Sequence, residues 1–198
     1  MAKLVMHHVS PSMQITQMSQ CGGSLINNEW ILTAAHCLNN FANGDDITFI
    51  DATFGDIDRD ADQGKRVHHG YDNQTFHNDI ALLKLYEPLD LEGMANFLEP
   101  VCLPEANEQK RVGTLCVATD KFDPNTDYCV GNETEAECVY KGDSGGPLNC
   151  QLATGFWVAE GVVSYGTDVG CGMERSPSIF TRVSAYIPWI KSIIEPKF

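Results

Sequence analysis

Before residue 185 no long segment of the chain carries a sustained 3.6-residue hydrophobic period, and this constrains the fold more than any single motif does. In its place are short β-rich runs bounded by Gly, Asn and Asp clusters, at Trp30-Ile31-Leu32-Thr33, 47–54, 79–86, 113–119, 147–152, 156–165 and 178–183. Residues 13–26 mix alternating apolar side chains with Gly22-Gly23, which reads as two strands meeting at a turn or bulge. The stretch 99–112 turns polar and carries Pro100 and Pro104, so it reads as a linker between two β units. Only the end is helical in pattern. There Ser184 stands as a cap, Pro188 falls in the first turn, and Ile187, Ile190 and Ile194 share a face.

The 198 residues, 43% of them hydrophobic, suffice for a substantial core. A net charge of -14 argues against a phosphate-backbone partner, so no nucleic acid is expected; basic proteins or peptides fit better. No apolar run is long enough to span a membrane, and Met1-Ala2-Lys3-Leu4-Val5-Met6 is too short and interrupted for a signal-peptide core. The eight cysteines show no Cys-x-x-Cys spacing, which points to disulfides in an oxidising, extracellular setting rather than to zinc or redox chemistry. Two Asn-x-Thr sequons, at Asn73 and Asn132, agree with a secreted glycoprotein.

Three sites carry the residue types of nucleophilic catalysis. In Lys141-Gly142-Asp143-Ser144-Gly145-Gly146-Pro147-Leu148 the serine is flanked by glycines, which let a backbone turn sharply and leave the hydroxyl exposed; an ordinary solvent-facing turn reads the same way. In Thr33-Ala34-Ala35-His36-Cys37 the imidazole can take and return a proton near neutral pH, and a bond from Cys37 to Cys21 would pin its loop. Asp79, at the mouth of the apolar run Ile80-Ala81-Leu82-Leu83, either caps that strand's N–H groups or holds the tautomer of His36.

Together, CGGSLI at 21–26, TAAHC at 33–37, NDIALLKL at 78–85, PVCLP at 100–104, GDSGGPL at 142–148 and TRVSAYIPWI at 181–190 resemble the chymotrypsin/trypsin family of serine endopeptidases over most of the chain. The order His36, Asp79, Ser144 is the chymotrypsin order. The resemblance implies an all-β fold of two antiparallel Greek-key barrels, residues 1–104 carrying His36 and Asp79 and residues 105–198 carrying Ser144 and the C-terminal helix. It implies peptide hydrolysis through an acyl-enzyme on Ser144, with His36 as base then acid and Asp79 as orienter. The amides of Gly142 and Ser144 would form the oxyanion hole. Ser164-Tyr165-Gly166 would pair with extended substrate, with Ser178 narrowing the specificity pocket. The implied disulfides are Cys21–Cys37, Cys116–Cys150 and Cys138–Cys171. No cofactor or resident metal is implied; the partners are protein or peptide substrates and serpin-type or other protease inhibitors.

The chain also departs from the family pattern. It has no Ile-Val-Gly-Gly-type start, whose ammonium would pair with Asp143, so a buried Asp143 needs another partner, an unpaired buried charge being costly, and an unformed oxyanion hole is expected. Only twelve residues separate Cys116 from Cys129, which shortens the second barrel and leaves Cys129 and Cys102 as free or intermolecular thiols, with a bond between the two as the alternative. Val139-Tyr140-Lys141 lengthens the approach to Gly142 by two residues. Glu135, Ala136 and Glu137 stand where trypsin-like members place an aspartate for Lys or Arg, and read equally as pocket acids or as solvated loop charges. The run Asp56 to Asp62 falls where some relatives bind calcium, but is short for that and reads as a solvated acidic turn. A catalytically impaired homologue acting as an interaction module is therefore the alternative to an active endopeptidase.

Overall fold

The computed structural model describes residues 1–9, 16–38, 46–61, 64–107, 123, 125–130, 142–152, 154–166 and 178–195. The strand expected at 113–119, Cys116, Cys138, Cys171, Asn132, Glu135, Ala136, Glu137 and the side chain of Cys129 lie outside them.

The chain opens on a strand, β1 (Ala2–Val9), that the sequence reading passed over. Its alternation is strict: Ala2, Leu4, Met6 and His8 are buried while Lys3, Val5 and His7 face outward. β2 (Thr16–Leu25) pairs with β1 from Val9↔Thr16 to Ala2↔Gly23, then hands Ser24 and Leu25 to β3 (Trp30–Thr33). Gly22-Gly23 therefore sits inside one continuous strand and is neither a turn nor a meeting of two strands. Its glycines are required by close approach: a Cβ on Gly22 would lie 2.9 Å from Gly146 Cα, and one on Gly23 2.6 Å from Ile31 Cγ2.

After α1 (Ala35–Leu38) come β4 (Asp46–Phe54), β5 (Ile57–Asp60), β6 (Gly64–Val67) and β7 (Ala81–Lys84). All pair antiparallel, in the order β5-β4-β1-β2-β3-β7-β6. The edge strands β5 and β6 are consecutive in the chain, and Tyr86 N–H donates to the Asp60 carbonyl at 2.9 Å, so the sheet curls back on itself. Much of the acidic run read as a turn is thus a strand, with Asp56 in the hairpin and Asp58 and Asp60 on the solvent side of β5.

A second antiparallel sheet has the order β8-β11-β10-β9, built from β8 (Asp127–Val130), β9 (Pro147–Gln151), β10 (Trp157–Gly166) and β11 (Ser178–Arg182). The all-β, trypsin-like fold class expected from the resemblance is the one found, as a curled antiparallel sheet, a second antiparallel sheet and a short C-terminal helix. Between the sheets the polar stretch after residue 99 is tied at several points. Val101 N–H donates to Leu25 O, Cys102 N–H to Trp157 O and Asn107 N–H to Ser184 O.

The chain ends in a 3-10 turn (Val183–Tyr186) and α2 (Ile187–Ile194), with Pro188 in the first turn. Ser184 is part of the 3-10 turn rather than the helix cap; the cap position belongs to Tyr186. Ile187 and Ile190 are buried in the same apolar core as Leu4, Ile31, Ile50 and Leu82 of the first sheet, each adding roughly 1.5–3 kcal/mol by leaving water. The last helix therefore returns to brace the first half of the chain.

One buried charge opposes folding. Asp127, on β8, is 5% exposed, and burial pushes its carboxyl up to about 6, against the Asp123 N–H that donates to Oδ2 at 3.0 Å. Because the folded-state pKa lies above the unfolded value near 3.9, stability is complete below pH 4 and is lost as pH rises through 6. Asp127→Asn accordingly raises the unfolding free energy at pH 7.5 by about 3 kcal/mol and leaves it nearly unchanged at pH 4. Urea midpoints at the two pH values check this; an equal shift at both would refute it.

Candidate active site

His36 lies on the single turn of α1, directly after β3, and the Cys21–Cys37 disulfide anchors that turn to β2 with a Cα–Cα separation of 6.2 Å. The sulfur atoms and His36 Nε2 are close together, but both sulfurs are consumed by their mutual bond, so these three residues hold no cation.

The fully buried Asp79 carboxylate reaches back across the fold to His36. His36 N–H donates to Oδ1 at 2.8 Å, His36 Nδ1 meets Oδ2 at 2.7 Å, and Ser164 Oγ donates to Oδ2 at 2.5 Å. These donors offset the cost of burying the charge, and they are short, as bonds to an ionised acceptor are. Asp79 therefore does not spend its oxygens on its own strand. Its carbonyl is held too, by Thr181 Oγ1 at 2.9 Å. Ser164, expected in a substrate-pairing segment, also has its hydroxyl bonded to this acid 85 positions away in the chain, a contact that no local pattern signals.

Ser144 stands in a tight turn whose backbone is fixed from both sheets. Gly146 N–H closes on Asp143 O at 2.8 Å, Gly145 N–H donates to Val163 O at 2.9 Å, and Gly22 N–H from β2 donates to Ser144 O at 2.7 Å. Gly142 (φ 107°) and Gly145 (φ 77°) adopt left-handed backbone that glycine alone takes without strain. Gly145 lies against Thr33 Oγ1, Gly22 O and Ala34 N, so the serine turn packs on the loop that leads into His36. Among the described residues the amides of Gly142 and Ser144 donate to no protein acceptor. The Asp143 carboxylate, expected to be buried, is at the surface, so the cost of an uncompensated interior charge does not arise.

Phe76 was not singled out from the sequence. Held at φ 61°, its ring meets His36 edge-on at 5.8 Å and Tyr165 at 5.6 Å, forming an aromatic wall beside the imidazole. Ser178 is buried at the start of β11 opposite Gly166, the last residue of β10. Cys102 is a free, exposed thiol, as expected.

Comparison with known proteins fixes the relationship. The family model described as Trypsin matches residues 5–121 and 121–190. This chain belongs to the trypsin family. It is 33% identical to cathepsin G of Homo sapiens over 217 residues, covering 89% of this chain and 77% of that protein. It is 31% identical to chymotrypsin-C of Rattus norvegicus over 219 residues, covering 88% and 78%. With transmembrane protease serine 7 of Mus musculus it shares 30% identity over 221 residues, 92% of this chain but 26% of that longer protein. By family the chain is a serine endopeptidase, and no described helix is long and apolar enough to cross a membrane.

Proposed function

We propose that this trypsin-family chain is a secreted endopeptidase in which Ser144 attacks the peptide carbonyl, His36 carries the proton and Asp79 orients the imidazole. The observation that carries this reading is the paired contact of Asp79 with both the backbone N–H and the Nδ1 of His36. With Nδ1–H donated to a carboxylate, the Nε2 lone pair is left for the serine proton, and the imidazolium formed on transfer is stabilised where it stands. The amides of Gly142 and Ser144 supply the oxyanion donors, the single-donor contribution in such sites being roughly 3–4 kcal/mol of barrier.

The backbone of Ser164, Tyr165 and Gly166 offers an edge for an extended substrate, and the Phe76–Tyr165 wall suits an apolar side chain just before the one entering the pocket. Ser178 narrows that pocket. The acidic stretch at Glu135 and Glu137 supports a preference for Lys or Arg. The cysteine-rich, disulfide-bonded composition supports an extracellular setting, with glycans at Asn73 and Asn132, pairs at Cys116–Cys150 and Cys138–Cys171, and inhibitors of the serpin type among the partners. Residues 1–104 and 105–198 are the two units of this machine.

A second reading, a non-catalytic interaction module, is favoured by one observation: Asp143 is at the surface rather than in the buried charge pair the resemblance implies. Peptidyl phosphonate esters bearing Arg, Phe or Val beside phosphorus separate the two. The expected result is one phosphonyl group on Ser144, absent in Ser144→Ala, formed fastest with Arg. A folded chain that none of the three labels sinks the endopeptidase reading, and equal rates overturn the acidic pocket.

A further inference from the structure

Asp79 can hold His36 only if the chain delivers its carboxylate at a fixed angle, and the residue that sets this angle is Asn78. Asn78 is one of the few non-glycine positions with positive φ, at 55°, a conformation asparagine tolerates better than most residues but does not favour. Three bonds keep it there. Its Nδ2 donates to Gly70 O at 2.7 Å, its carbonyl accepts Ile80 N–H at 2.8 Å, and its Oδ1 accepts the Tyr186 hydroxyl at 3.0 Å. The first two come from the loop and strand around Asn78 itself. The third comes from the 3-10 turn 108 positions later, and ties Asn78 to the core.

Tyr186 is suited to that task. It is 4% exposed, its ring lies in the core cluster that also holds Ile187 and Ile190, and His68 stands edge-on to it at 5.2 Å. Burial, with Asp127 as the next contributor, pushes its phenol well above the usual range, so it keeps its proton and remains a donor at any working pH.

We propose that Tyr186 is a positioning residue: its hydroxyl locks Asn78 in the left-handed conformation and thereby fixes how the Asp79 carboxylate meets His36. The proposal rests on the reading of His36, Asp79 and Ser144 as the reacting set. Tyr186→Phe keeps the ring and its packing and removes the hydroxyl, with its bond to Asn78 and its contact with the Thr126 side chain. It lowers kcat for a peptide substrate about tenfold, the effect of one lost hydrogen bond in a preorganised site, with KM within twofold. The His36 Nδ1 proton, held in a 2.7 Å bond to a carboxylate, gives a low-field NMR signal that moves upfield or broadens in the variant, a readout that does not depend on turnover. Asn78→Gly provides the second arm, since glycine retains the backbone conformation but has no Oδ1 for Tyr186 to hold. In that background Tyr186→Phe costs nothing further in kcat. An unchanged kcat and NMR signal in Tyr186→Phe, or the same tenfold loss in both backgrounds, overturns the proposal. If instead Asp79→Asn leaves hydrolysis intact, it is the assignment of the reacting set that fails.

Discussion

Asp79→Asn lowers kcat/KM for peptide hydrolysis about 10⁴-fold, the size of loss the same exchange produces in the archetype of this family, while leaving the fold in place. The reason can be read from the three donors around the carboxylate. His36 backbone N–H can only donate, so the new amide must turn its oxygen toward the former Oδ1 position. The NH2 group then occupies the Oδ2 position, facing His36 Nδ1 and Ser164 Oγ. Two donors cannot share a bond, so the imidazole shifts its proton to Nε2 and loses the lone pair that would deprotonate Ser144. Steady-state kinetics with one peptide substrate measures this; a loss below tenfold would show that the carboxylate is not what holds the tautomer.

Gly145→Ala destabilises the protein by about 3 kcal/mol or more, through a left-handed backbone and a clash with atoms that cannot yield. A Cβ at this position would run into Thr33 Oγ1 and sit 2.6 Å from Gly22 O and 3.2 Å from Ala34 N, with φ at 77°. Thr33 Oγ1 itself donates to Gly22 O at 2.8 Å, so moving the threonine side chain aside would break a buried bond. For a chain of 198 residues this corresponds to a fall in the thermal midpoint of roughly 6–12 °C. Because Gly145 neighbours Ser144, activity falls with it. A midpoint within about 1 °C of the parent would mean the two loops do not pack as tightly as the distances state.

What the sequence made legible was local chemistry and what it hid was long-range contact. Residue type and immediate setting left His36, Asp79 and Ser144 each with an ordinary structural alternative; the family pattern singled them out together, and the structure brings the first two into contact and bears out the Cys21–Cys37 bond. β1 was legible but passed over: Ala2, Leu4, Met6 and His8 alternate in period two, and a histidine in the last inward position disguised the pattern. Gly22-Gly23 was misread because glycine signals a turn and a close approach with the same letter. Only Gly146, far along the chain, tells the two apart. The contacts Ser164–Asp79 and Tyr186–Asn78 leave no trace in local pattern at all, since the partners lie 85 and 108 positions apart and each residue is unremarkable where it stands.

The donors to Asp79 come from both halves of the molecule: His36 belongs to the first sheet, Ser164 and Thr181 to the second. A buried carboxylate is tolerated only when its bonds are complete, so the acid has the geometry described above only when both halves are in place. On the proposed reading of His36, Asp79 and Ser144 as the reacting set, a half-unfolded chain carries every reactive residue and yet lacks the arrangement that would let them act.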